Sequence, residues 1–198
     1  GLDMLIGGRP AGYERRFLRG NHEQSMLAFI DDPVPNRAWL MHGGNETLLS
    51  YGVQPPSPLY AKDEDWIAAA EQLRERAPPA HIKFLRELER YIAIGDHVFV
   101  HAGIDPARPL AKQTDQDIYW IRARFLNSRR RSKHRVVHGH TPVERPFADR
   151  RRVAVDTGAY ASGVLTAARF EGASLDFLSV SEREIRAAAA QSGQTLQF

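Results

Sequence analysis

Three short segments place metal-capable or proton-transferring side chains beside glycine, each after an apolar, strand-like approach. They are RGNHE (Arg19 to Glu23), VHAG (Val100 to Gly103) and HGHT (His138 to Thr141). A neutral imidazole ligates Mn²⁺, Fe²⁺ or Zn²⁺, and an amide carbonyl can join it. An imidazole that titrates near neutrality can instead carry a proton. Glycine lets the chain turn tightly and approach a ligand. Any one of these loops also reads as a histidine making a structural hydrogen bond. Three of the same construction point to a crevice at strand ends, where a sheet holds the loops rigid.

The elements that must position these loops follow from periodicity. LDMLI has helical spacing and stops at Gly7-Gly8. RRFLR (Arg15 to Arg19) reads as a strand leading into Gly20, His22 to Ile30 as a helix, and Asn45 to Tyr51 as a short helix closed by Gly52. Trp66, Ile67, Ala70 and Leu73 recur at helical spacing within 63–77, and Pro78-Pro79 opens another helix carrying His81, Ile82, Leu85 and Leu88. Residues 31–91 therefore read as a helical cap or insertion within one domain spanning 1–198. From His97 onward HVFVHAGI, RVVHGHT, RRVAVDTGA, GVLTAARF and SLDFLSV read as successive strands, with a surface helix over 182–190. Trp39, Trp66 and Trp120 read as packing anchors. Mixed helices and strands in this order predict an α/β layered fold.

Composition narrows the classes further. Hydrophobic residues make up 42 % of the 198 and charged residues 26 %, which excludes fibrous and wholly disordered chains. There is no cysteine, so disulfides, zinc–thiolate sites and cysteine nucleophiles are excluded. No apolar run approaches the ~18–20 residues of a membrane span. No secretory leader is visible at the start, and a reducing cytoplasm is the expected compartment. The net charge is +3, and the basic residues are strongly local. Residues 129–152 hold nine basic side chains (Arg129, Arg130, Arg131, Lys133, Arg135, Arg145, Arg150, Arg151 and Arg152) against two acids, Glu144 and Asp149. Such a patch could bind nucleic acid, but it lacks interleaved aromatics and a recognised module. The expected reading is a solvated loop whose field draws anionic substrate, without nucleic acid or membrane as partner.

The ordered set FLRGNHE, VHAGI and VVHGHTP resembles the later motifs of the phosphoprotein phosphatase branch of the calcineurin-like metallophosphoesterases, of bacterial serine/threonine protein phosphatase type. WLMHGGNETLLSYG resembles the tryptophan–GG–TL–SYG block of bacterial members. YWIRARFLNS before the last histidine motif and AVDTGAYASGVLTAARFEG after it extend the match over about residues 2–180. The resemblance implies a four-layer α/β/β/α sandwich with a helical insertion. It also implies a phosphoric monoester hydrolase with two divalent metal ions (manganese expected, iron or zinc the alternatives) and a metal-activated water. Asn21, His101 and His140 would then ligate one metal, His22 would protonate the leaving oxygen, and Arg122 would hold phosphate oxygens with its guanidinium fork. Phosphoprotein, or a phosphorylated small molecule, is the implied substrate.

The same pattern begins with GD-x-HG and GD-x-VDRG, which supply the other metal's ligands and the bridging carboxylate. Neither occurs here, and with Gly1 in first position the expectation is an N-terminally truncated chain with an incomplete site and little turnover. Two other functions compete. One is a dinucleoside polyphosphate hydrolase of the same superfamily, against which GNHE and the final GHTP lean towards protein phosphatase. The other is a non-catalytic relative that binds nucleic acid through the basic loop.

Overall fold

The helical spacing read from the sequence becomes a set of buried stripes. The computed structural model describes residues 1–8 and 12–192. The chain divides into two compact units, Gly1–Arg90 and Tyr91–Phe198.

The first unit is helical. Its elements are α1 (Leu2–Gly7), α2 (Asn21–Asp31), α3 (Pro33–Asn36), a 3₁₀ helix (Arg37–His42), α4 (Gly44–Ser50), α5 (Asp63–Arg76) and α6 (Pro79–Glu87). Helix α2 buries Met26, Leu27, Phe29 and Ile30, and α5 buries Trp66, Ala69, Ala70 and Leu73. Both sets are spaced three and four residues apart, so each lies on one face. Trp39 packs on Phe29 with ring centroids 5.4 Å apart. Trp66 is buried in the same cluster.

RRFLR does not form the expected strand. It makes a single parallel bridge, Leu18 to Glu89, with Arg19 N–H donating to the Glu89 carbonyl at 2.8 Å and Glu89 N–H donating to Phe17 at 2.9 Å. A run of five residues holding three arginines offers too little alternating apolar surface to sustain a ladder. Arg19 instead donates to the carbonyls of Leu85 and Arg86 at 3.2 and 2.7 Å, near the C-terminal end of α6. Those carbonyls have no partner within their own helix, and a cation there also suits the helix dipole.

The second unit is built on a five-stranded sheet, from β1 (Tyr91–Ile94), β2 (His97–Val100), β3 (Arg135–His138), β4 (Phe147–Ala148) and β5 (Arg152–Ala154). Its order is β1-β2-β3-β5-β4. The β2–β3 and β3–β5 pairs are parallel, and the two edge pairs are antiparallel. Neither edge strand was expected from the sequence. A separate hairpin joins β6 (Val164–Glu171) to β7 (Ser174–Ser181), followed by α10 (Glu182–Ser192).

Side chains alternate across the sheet. Val98, Val100 and Val136 face helices α7 (Asp115–Trp120) and α8 (Ala123–Leu126), burying Ile118, Tyr119, Ile121 and Phe125. On the other face, Phe170 of the hairpin meets His97 and Phe99 edge to face, with centroids 4.9 and 5.7 Å apart. This unit is therefore a helix layer, a mixed sheet and a second sheet. The short helix α9 (Ala159–Ser162) leads into β6. Among the described residues, no helix is long and apolar enough to cross a membrane.

Candidate functional site

Strands β2 and β3 run parallel, so the VHAG and HGHT loops leave the sheet at the same end. The Gly139 N–H donates to the His101 carbonyl at 2.9 Å and ties the two loops together. The result is a pair of facing imidazoles, with His101 Nε2 3.1 Å from His140 Nδ1. His140 is the one non-glycine residue of positive φ among the described residues, at +64°. A side chain held in the left-handed region costs about 1–2 kcal/mol, and such strain gathers where geometry serves a site.

Two ring nitrogens this close share a proton or a cation. Two ligands about 2.1 Å from one ion stand roughly 3.0–3.4 Å apart for right-angled to tetrahedral geometry. The observed separation and the donor set therefore fit two of a cation's ligands. Among the described residues, no three histidine or carboxylate side chains converge to hold a metal.

Arg122 joins the pair through the next residue of the loop. Its Nη1 donates to Thr141 Oγ1 at 3.1 Å. The Trp120 indole stands nearly perpendicular to the His140 ring, with centroids 6.1 Å apart. Three sequence-predicted residues, His101, His140 and Arg122, thus meet in the second unit. Asp156 is a neighbour that the sequence reading gave no role. A Cβ at Gly139 would lie 3.4 Å from the Asp156 Cβ, and Asp156 accepts the Gly158 N–H at 2.9 Å. It lies in the quoted AVDTG segment, so its signal was available.

Packing below the loops explains their composition. Gly103 has φ +151°, and a Cβ there would come within 2.4 Å of the Phe125 ring. His138, at the end of β3, is buried with its ring 5.0 Å edge-on to Phe125. Burial pushes its pKa below the ordinary histidine value. It serves the layer between sheet and α8. Arg124 donates to Asp105 and Asp117, both at 2.7 Å, and so clamps the loop after VHAG to α7 and α8. Burial alone would raise the Asp117 pKa. The Thr114 N–H and hydroxyl and the charges of Arg108 and Arg124 outweigh it, and hold this carboxyl below the usual range.

Asn21 and His22 stand in the first turn of α2, in the first unit. Asn21 is buried and His22 is exposed. Glu23 accepts the Gly20 N–H at 2.8 Å and caps the helix. The His22 ring rests on the HGG turn, where a Cβ on Gly43 would lie 3.3 Å from its Cε1. A Cβ on Gly44 would lie closer still to the Trp39 ring, at 2.8 Å. The GG block, which the sequence left without a role, is thus the surface on which the His22 ring lies. His81 is buried, bonded by Nε2 to Asp3 Oδ1 and by Nδ1 to Tyr51 Oη, both at 2.9 Å. That pairing ties α1 to α6 and accounts for His81 structurally.

No family model matches the chain. A solved structure provisionally described as a diadenosine tetraphosphatase superposes with a TM-score of 0.54 at 17 % identity, covering 84 % of this chain and 69 % of that one. The likeness shows a shared fold, a mixed α/β arrangement of sheet and helices. The asymmetrical bis(5'-nucleosyl)-tetraphosphatase PrpE of Halalkalibacterium halodurans is 45 % identical over 49 residues, 25 % of this chain. The match spans only 19 % of that relative's length.

Proposed function

We propose that the chain carries part of the catalytic constellation of a metal-dependent phosphoesterase, and that its substrate is a dinucleoside polyphosphate. The observation that carries this reading is the His101–His140 nitrogen pair at parallel strand ends, with strained His140 and Arg122 beside it. His101 and His140 would hold a divalent cation. Such an ion acidifies water and polarises phosphoryl oxygens. Arg122 spends one nitrogen on Thr141, and its other N–H donors bind phosphate oxygens as a fork. On an alkoxide leaving group, as in the second reading, His22 would supply the proton. The substrate class is supported by the two relatives, whose descriptions name tetraphosphatases. A second reading, phosphoprotein phosphatase, is favoured by GNHE and GHTP in the sequence.

Binding tests the site. Manganese titration should give one ion per chain, lost in His140→Ala. Diadenosine tetraphosphate should compete for the manganese-loaded protein better than a phosphoserine peptide. Metal affinity unchanged in both His101→Ala and His140→Ala overturns the site, and tighter phosphopeptide binding favours the second reading. Turnover by these 198 residues is expected to be slow, because GD-x-HG and GD-x-VDRG are not among them. The His22→Ala effect on whatever turnover exists also separates the readings. A serine alkoxide needs a proton as it leaves, worth about 10²–10⁴-fold. A nucleotide phosphate leaves as a stable anion and needs little help.

A further inference from the structure

The basic run is split by the fold. Residues 129–134 lead into the start of β3, and the turn 149–151 leads into the start of β5. The strands are parallel, so both loops lie at the same end of the sheet, opposite the end carrying His101 and His140. The Arg151 guanidinium donates to the Ser128 carbonyl, and the Val136 N–H donates to the Arg151 carbonyl at 2.9 Å, joining the loops. Arg145 precedes β4, which runs antiparallel to β5, so it falls at the other end.

The joined loops carry more free cation than structural cation. Arg151 pairs with Asp149 at 3.7 Å, and Arg152 lies over the Phe125 and Phe147 rings. Arg129, Arg130, Arg131, Lys133 and Arg150 are exposed, and none enters an ion pair among the described residues. The acids at this end are Asp149, already engaged, Asp96 in the β1–β2 turn and Glu171 at the hairpin tip. Five unpaired cations at the far end of the sheet cannot hold the phosphates of a substrate seated at His101 and His140.

The chemistry of the patch selects its ligand. Arginine forks match phosphate oxygens. A surface that inserts into a bilayer, or that stacks unpaired bases, carries exposed apolar or aromatic side chains. Within 128–152 no large hydrophobic residue is exposed among the described residues, and at this end of the sheet the exposed apolar side chain is Ile94, at the end of edge strand β1 and two strands from β3. We propose that the 129–133 loop and the 149–151 turn form a docking surface for the phosphate backbone of a double-helical nucleic acid, read by charge and not by sequence. This surface is independent of the proposed hydrolytic reading.

The test is fluorescence anisotropy of a labelled 20-base-pair DNA duplex with the 198-residue chain across a salt series. With five contacts, log K should fall with log salt at a slope of about −4 to −5. Arg129→Gln/Arg130→Gln/Arg131→Gln should lower the steepness by about 3, from ~0.9 per contact. These side chains are exposed, so the variant should keep the wild-type melting temperature. Arg145→Gln, at the opposite strand end, should leave the slope unchanged, where loss of a contact would lower its steepness by ~0.9. No binding at 50 mM salt, a slope unmoved by the triple variant, or tighter binding to phosphatidylserine vesicles at equal phosphate overturns the proposal. Loss of manganese binding in His140→Ala without loss of duplex binding supports the independence of the two sites.

Discussion

Gly103→Ala is the most direct test of how the VHAG loop is held. The new Cβ would lie 2.4 Å from the Phe125 Cδ1, where carbon–carbon contacts prefer about 3.5–4.0 Å. The Phe125 ring is buried against the sheet, edge-on to the His138 ring, and cannot withdraw without opening the layer. Overpacking of this kind costs about 1–3 kcal/mol. A side chain at φ +151° adds about 1–3 kcal/mol of backbone strain. Together they give about 2–6 kcal/mol, and a melting temperature lower by roughly 5–20 °C for a chain of this size. Gly172→Ala is the control: φ is +58° and nothing lies within 4 Å of the added Cβ, so only backbone strain acts. Calorimetry of both variants sets a strain-only loss beside one with packing added, and Phe125→Leu in the Gly103→Ala background should return part of the packing loss. A Gly103→Ala variant no less stable than Gly172→Ala would refute the reasoning.

Three further outcomes follow. His140→Gly relieves the left-handed strain, so it should lose manganese affinity in titration calorimetry while its melting temperature falls by no more than about 2 °C. Asp117→Asn weakens the Arg124 clamp and should cost about 1–3 kcal/mol in urea unfolding at pH 7, softened because Arg124 is solvent-accessible. The folded pKa of Asp117 lies below its unfolded value, so its stabilisation is present above that unfolded value and lost as pH falls. The wild-type and Asp117→Asn curves should therefore converge below about pH 4. His138 is also depressed in the folded state, so the unfolded chain takes up a proton first as pH falls through about 6.5. Stability should drop from pH 7 to 5 with a slope that His138→Gln reduces.

Six helices were legible, α1, α2, α4, α5, α6 and α10, the longer ones because burial writes a period into the sequence; the short α3, α7, α8 and α9 were not read. Trp66, Ala70 and Leu73 mark the inner face of α5, whereas Ile67, expected on the same stripe, is exposed and Ala69 takes its place; Met26 to Ile30 mark the inner face of α2. The core strands β2, β3 and β5 were legible as short apolar runs ending in Gly, Asp or His. Strands β1 and β4 were not, because an edge strand of two to four residues draws its stability from its neighbour rather than from its own pattern. RRFLR failed for the opposite reason, since two of its three arginines are committed elsewhere, Arg16 to Glu89 and Arg19 to the α6 carbonyls. At the candidate site, residue types and order brought His101, His140 and Arg122 forward. The supporting contacts of Gly43, Gly103 and Asp156 depend on which side chain lies opposite, and one chain read alone carries no such pairing.

The placement of the parallel strands sets an order of assembly. The β6–β7 ribbon closes over two residues, a microsecond event for an isolated hairpin. His97 and Arg135, partners in the β2–β3 ladder, are separated by the whole of 98–134, including α7 and α8. The entropy of closing that loop is spent before any ladder bond forms. The imidazole pair exists only once this late ladder has closed. During refolding, manganese affinity should therefore appear after most of the helical signal has returned, making the ion a reporter of the last long-range step.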